Sequence, residues 1–170
     1  LKELSELAWK GLLDTKFEHH PVHTFYEGST EIKPNILGMK GIGSFFAVDT
    51  GDGLVMIDAG SQLDIETGYE EIKKWRPNDH LKAAIFTHHH VDHVFAIQKF
   101  DEECESKKLP LPKVYSHNLT PEHFDRYILT NGWNTAINRR QFAIDVDKFN
   151  WPTEYRYPDE TYSKETSFKQ

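Results

Sequence analysis

Cysteine is almost missing. A lone Cys104, set between Glu103 and Glu105, excludes an intrachain disulfide and any metal site built from several thiolates. It fits a reducing compartment, yet an exported protein without disulfides reads the same, so cytoplasm and periplasm both stay open. Long apolar runs are missing too: none approaches the ~18 residues of a membrane span, and no charged-then-apolar leader opens the sequence, so a soluble chain is expected. The first residue is Leu1 rather than Met, and the expectation is a processed or trimmed start. Positive charge is in deficit, with 20 Lys and Arg against 27 Asp and Glu. The resulting charge of −7 and the lack of a basic stripe exclude a nucleic-acid partner, though not a local positive pocket for a small anion. With 38% hydrophobic and 28% charged residues in 170, the chain is too apolar for a disordered acidic tail and suits a single core. What it has in excess is histidine: ten in all, four of them within residues 88–93.

The order of elements predicts an α/β fold. Ser44–Val48 and Leu54–Ile57, separated by Asp49-Thr50-Gly51-Asp52-Gly53, read as a β-hairpin whose glycines supply the positive φ of a tight turn. Ile65, Tyr69 and Ile72 recur at helical spacing, and that helix stops before Pro77. Ala83–Phe86 is a short buried strand, followed by a helix from Val94 to about Glu105, a strand at Val114–Ser116, and a helix capped by Thr120 with Pro121 at its first turn. Phe124, Tyr127 and Ile128 are the apolar stripe of that last helix. Helices alternating with strands point to layered α/β architecture rather than a bundle or sandwich of sheets alone. Asn150–Gln170 lacks periodicity and is expected to be an irregular surface segment. Residues 1–34 are taken as an N-terminal extension and 35–170 as the domain.

The stretch that carries chemistry is Thr87-His88-His89-His90-Val91-Asp92-His93, directly after the strand ending at Phe86. In extended backbone, residues two apart share a side, so His88 and His90 can converge on one cation while Asp92 and His93 aim at a second. His89 projects the other way, to a supporting or wall position. Imidazole and carboxylate suit Zn²⁺, with Fe²⁺ or Mn²⁺ as alternatives, and need no thiolate. Two such cations about 3.5–4 Å apart can orient a substrate and activate water at neutral pH. The competing reading is a solvated loop rich in histidine. The position at the C-terminal end of a strand, where α/β sites gather, favours a site.

T-H-x-H-x-D-H after a strand, preceded by a hairpin ending in Val55-Met56-Ile57-Asp58-Ala59-Gly60, resembles the metallo-β-lactamase superfamily over roughly residues 35–100. The resemblance implies an αββα sandwich with its metals at one sheet edge, of which this chain would be the N-terminal half. It further implies His88 and His90 as ligands of a first metal ion and Asp92 and His93 of a second, with Asp92 placed in the catalytic centre. Asp58 matches a buried aspartate that supports the loop by hydrogen bonding; a strand-end cap is the alternative. Ala136-Ile137-Asn138-Arg139-Arg140 is similar to the A-M-x-R-R segment of alkylsulfatase-like members. That match implies metal-dependent hydrolysis of organic sulfate esters, with Arg139 and Arg140 as an oxyanion fork, or else a surface pair bridging nearby acids. Lactonase, thioesterase and iron dioxygenase branches are the other enzymatic readings, and a non-catalytic metal-binding or assembly module is the alternative outside enzymes.

Two departures matter. Val94-Phe95-Ala96-Ile97 stands where many relatives have a Gly-Gly step. After His93 only His117 and His123 remain, and no G-E-T-D-D element follows, so the remaining metal ligands are expected from a segment beyond this chain. His117 is either a stand-in ligand or a neighbour that does not ligate. A small-molecule ester is the expected partner, and a homodimer is compatible with the sequence. Glu18-His19-His20-Pro21-Val22-His23 has ligand-like spacing but is read as a surface or interface loop, Trp133 as a packing residue with the lining of an apolar substrate tunnel beside Asn134 as the alternative, and the 101–108 charge cluster as a solvated helix end.

Overall fold

The computed structural model describes Leu7 and residues 10–12, 28–141 and 150–167. The loop Glu18–His23 and Phe142 lie outside them. Seven strands form one sheet in chain order: β1 (Ser29–Lys33), β2 (Ile36–Met39), β3 (Phe45–Asp49), β4 (Leu54–Ile57), β5 (Leu81–Phe86), β6 (Lys113–His117) and β7 (Glu160–Tyr162). Strands β1 to β4 pair antiparallel and β4 to β7 pair parallel. Among the described residues a short 3-10 turn (Gln62–Asp64) and the longer helices α1 (Ile65–Trp75), α2 (Ile97–Lys107), α3 (Thr120–Leu129) and α4 (Asn131–Gln141) accompany them.

Strand alternation gives the sheet two different faces. Leu37, Met39, Phe45, Ala47, Leu54, Met56, Ala84, Phe86 and Val114 pack against Ile72 of α1, Ile97 and Phe100 of α2, and Phe124 of α3. Val55, Ala83 and Tyr115 form a second apolar cluster on the opposite face, together with Ile57 and Ile85, and every member of it belongs to the sheet itself. The α/β class expected from the sequence is the one observed. Of the four layers the resemblance implied, the described residues carry one sheet and one helical layer.

The hairpin forms as its pattern predicts, with Gly51 and Gly53 at φ 83° and 139° in the connecting turn. Helix α1 ends at Trp75, before Pro77. Elsewhere the structure corrects the sequence reading. The first strand, β1, lies inside the stretch taken as an N-terminal extension, and Ser29 Oγ donates to Glu71 on α1 at 2.6 Å. Helix α2 begins at Ile97 rather than Val94, because the N–H groups of Phe95 and Ala96 donate to the carbonyls of Gly60 and Ala59. Thr120 is the first helical residue of α3, buried and not a cap. The charge cluster on α2 is only partly solvated: the Glu103 carboxylate is buried and held by Lys73 at 2.9 Å and Lys107 at 2.5 Å. Trp133, expected to pack, is 69% exposed on α4, a helix with no buried residue.

The terminal segment is more than surface coil. Tyr155 stacks on Phe124 at 4.5 Å and meets Phe95 at 5.6 Å, while Trp151 meets Tyr127 edge-on at 5.1 Å. Arg156 fastens this strap by pairing with Asp101 of α2 at 3.0 Å and with Asp159 at 2.9 Å. Asp159 in turn accepts the Val114 N–H at 2.8 Å, which guides β7 into register beside β6. Removing the guanidinium in Arg156→Met leaves Asp101 half-buried without its cation, and we expect a loss of about 2 kcal/mol in urea denaturation.

Candidate metal centre

The site is built where β4 and β5 end side by side. Asp58 follows β4 with φ 60°, a left-handed conformation that a non-glycine residue adopts at a cost and that aspartate tolerates better than most. Its own N–H is held by the carbonyl of Ile85 at 2.9 Å, so the turn is tied to the neighbouring strand. The buried carboxylate then receives the Thr87 N–H at 2.7 Å, the Thr87 hydroxyl at 2.8 Å and His93 Nδ1 at 3.0 Å. One carboxylate thereby pins both ends of the histidine loop. The backbone repeats the connection: Ala59 N–H donates to the His93 carbonyl at 2.7 Å.

Proton bookkeeping defines the ring nitrogens. The single hydroxyl proton of Thr87 goes to Asp58, which can only accept. The 2.9 Å contact between Thr87 Oγ1 and His88 Nδ1 therefore has the imidazole as donor, and His88 Nε2 keeps a free lone pair. The His88 ring lies 4.6 Å from that of His90 and 4.3 Å from that of His93. His93 is bracketed, with Nδ1 on Asp58 and Nε2 3.3 Å from Asp92 Oδ2. Ligand atoms from Asp58, His88 and His93 lie within 4.8 Å of one another, a spacing that one divalent ion could span. Asp58 already fills both oxygens with N–H and O–H donors, so it is better placed to orient His93 than to ligate.

The same contacts set the charges. Burial works to lower the pKa of His93, but hydrogen bonds to Asp58 and Asp92 and the charge of both carboxylates outweigh it and push it up to about 9. Burial opposes ionisation of Asp92, yet His93 holds its carboxyl below the usual range. His88 is pushed down by burial and by the neighbouring imidazoles. His89 is pushed down to about 4, again by burial first and then by His123, so it is neutral at physiological pH.

His89, expected to project away from its neighbours, instead meets the ring of His90 edge-on at 5.0 Å, and its other face stacks on His123 of α3 at 3.9 Å and 18°. His117, at the end of β6, accepts the Leu119 N–H at Nδ1 and meets Tyr162 edge-on. Arg139 and Arg140 lie in the last turn of α4, outside the histidine cluster, with Arg139 donating to Asn150 at 3.3 Å. Sequence reasoning missed Gly43. A Cβ there would collide with the Asp92 carbonyl and sit 2.8 Å from the His93 ring, so only glycine lets the β2–β3 loop back onto the site.

Comparison with known proteins follows the same lines. The profile of the metallo-beta-lactamase superfamily matches residues 38–158. No curated protein matches the chain. Among solved structures, the stereoselective inverting sec-alkylsulfatase Pisa1 from Pseudomonas sp. aligns with 66% of this chain and 18% of its own, at 23% identity and a TM-score of 0.51. A metallo-beta-lactamase from Pontibacter korlensis aligns with 85% of this chain and 56% of its own, at 18% identity and a TM-score of 0.45. The chain thus spans about a fifth of the first of these relatives, and the likeness to it is one of fold.

Two measurements test the geometry. Gly43→Ala is expected to weaken the binding of an added divalent ion by about 10-fold or more, read by competition with a chromophoric chelator. In the metal-free protein, the raised pKa of His93 contributes stability that is complete below its unfolded value of about 6.5 and is lost as pH rises through about 9. The urea-stability gap between wild type and His93→Gln should therefore be larger at pH 6 than at about pH 9.5.

Proposed function

Since the chain belongs to the metallo-β-lactamase superfamily, we propose that it carries part of the centre of a metal-dependent hydrolase acting on organic sulfate esters. The observation that carries this reading is the clustering of the His88, His90 and His93 rings, with Asp92 beside His93 and Asp58 bonded behind it. Imidazoles and carboxylates of this kind suit zinc first, with iron or manganese as alternatives. One or two divalent ions, when bound, supply Lewis acidity and activate a water molecule.

The protein's own residues have distinct tasks in this scheme. His88, through the Nε2 that its bond to Thr87 leaves open, and His90 would hold a first ion, and Asp92 and His93 a second. Thr87 fixes the tautomer of His88, and Asp58 fixes that of His93 by keeping the proton on Nδ1. Asp92, 3.3 Å from His93 Nε2, would balance the charge of an ion held there. Loading requires His93 to give up one proton, so affinity rises with pH below about 9. The sulfate-ester assignment draws on the Ala136–Arg140 segment and on the fold shared with a sec-alkylsulfatase. Arg139 and Arg140 enter as the oxyanion fork.

Elemental analysis of the purified full-length protein identifies the metal. A panel of alkyl sulfates, lactones and thioesters identifies the ester class, with turnover expected on the sulfates. His88→Ala and Asp92→Ala should each lower kcat/KM by more than about 100-fold. Arg140→Met should raise KM for the sulfate with little change in kcat. Hydrolysis of lactones or thioesters alone would replace the sulfatase reading, and unchanged turnover in His88→Ala and Asp92→Ala would end the metallohydrolase reading.

A further inference from the structure

The histidine loop has two firmly held ends and a middle in which His88 is bonded to Thr87, the His90 carbonyl accepts the His93 N–H, and His89 leans elsewhere. Thr87 and His93 are both bonded to Asp58, and the His93 carbonyl is bonded to Ala59. Between them His88, His89 and His90 follow one another outside any strand or helix. The middle residue, His89, reaches across to α3, where it stacks face to face on His123 and lies against Tyr127 at 5.5 Å.

Helix α3 is a rigid place to lean on. Phe124 is fully buried, and Tyr127 is nearly so and covered by Trp151. Tyr155 stacks on Phe124, and Tyr157 donates its hydroxyl to Asp125 at 2.6 Å. His123 therefore projects from a helix clamped between the core and the terminal strap. His89 stands between His88 and His90 in the chain and meets the His90 ring edge-on at 5.0 Å, so holding its ring also holds theirs.

We propose that His123 is a positioning residue of the metal centre: stacked on His89, it sets the spacing between His88 and His90. The proposal rests on the metal-site reading above. It gives a task to a histidine 30 positions downstream of the motif that has no part in ligation.

The test is zinc affinity of the full-length, metal-stripped protein, read by chelator competition beside thermal melting. His123→Ala should weaken zinc binding about 10-fold. His123→Phe, which keeps a flat ring in the stack, should recover most of that loss. His89→Ala should match His123→Ala, and the double variant should lose no more than either single one. Should His123→Ala fail to fold, His123→Leu fills the volume without a stacking ring and takes its place. Unchanged affinity in the ring-less variant, an equal loss in His123→Phe, or additive losses in the double variant would each overturn the proposal. His90→Ala separates the two levels. If it leaves zinc affinity intact, the metal-site reading falls; if it weakens binding while His123→Ala does not, only the role of His123 falls.

Discussion

The carboxylate of Asp58 is the constraint on which the site depends. It stands at a strand end in a left-handed backbone conformation, is buried, and gathers three donors from Thr87 and His93. A carboxylate removed from water requires such donors, and here they come from the two ends of one loop. The loop closes because Asp58 needs partners, and the imidazoles converge because the loop closes. The left-handed turn is held by the Asp58 N–H on Ile85, so the cost of that conformation is met by the parallel pairing of β4 and β5. Fold and site meet in a single residue.

How far the sequence revealed this depended on whether a residue's role was local. The nearness of His88 and His90, whose rings lie 4.6 Å apart, was readable from their spacing, and the hairpin from its two apolar runs and the glycines between them. The strands β1 and β7 were not. Ser29–Lys33 is polar with one isoleucine, and Glu160–Tyr162 has three residues that become a strand only by pairing with β6. Helix α4 buries nothing, so it had no apolar stripe to read. At the site, the contact between His123 and His89 and the close approach of Gly43 to His93 are products of the tertiary fold. Neither the helical spacing of α3 nor the Gly41-Ile42-Gly43 run announces them.

Burial also redistributed roles assigned from composition. Glu103 looked like part of a solvated helix end, but it faces inward and requires both Lys73 and Lys107. Trp133 looked like a packing residue and stands exposed on a helix that only touches the rest. The terminal strap looked like coil, but its tyrosines stack beneath α3 and its arginine ties α2 to the approach of β7. In each case the decisive interaction joins residues far apart along the chain, beyond the reach of any local pattern.

The strand order carries a consequence for how the protein is made. Each strand of the sheet lies beside the one that precedes it in the sequence, from β1 through β7. Among the described residues, no strand has to wait for a later one to fill a gap between earlier neighbours. A chain leaving the ribosome N-terminus first can lay the sheet down one strand at a time, with its growing edge always on the newest addition.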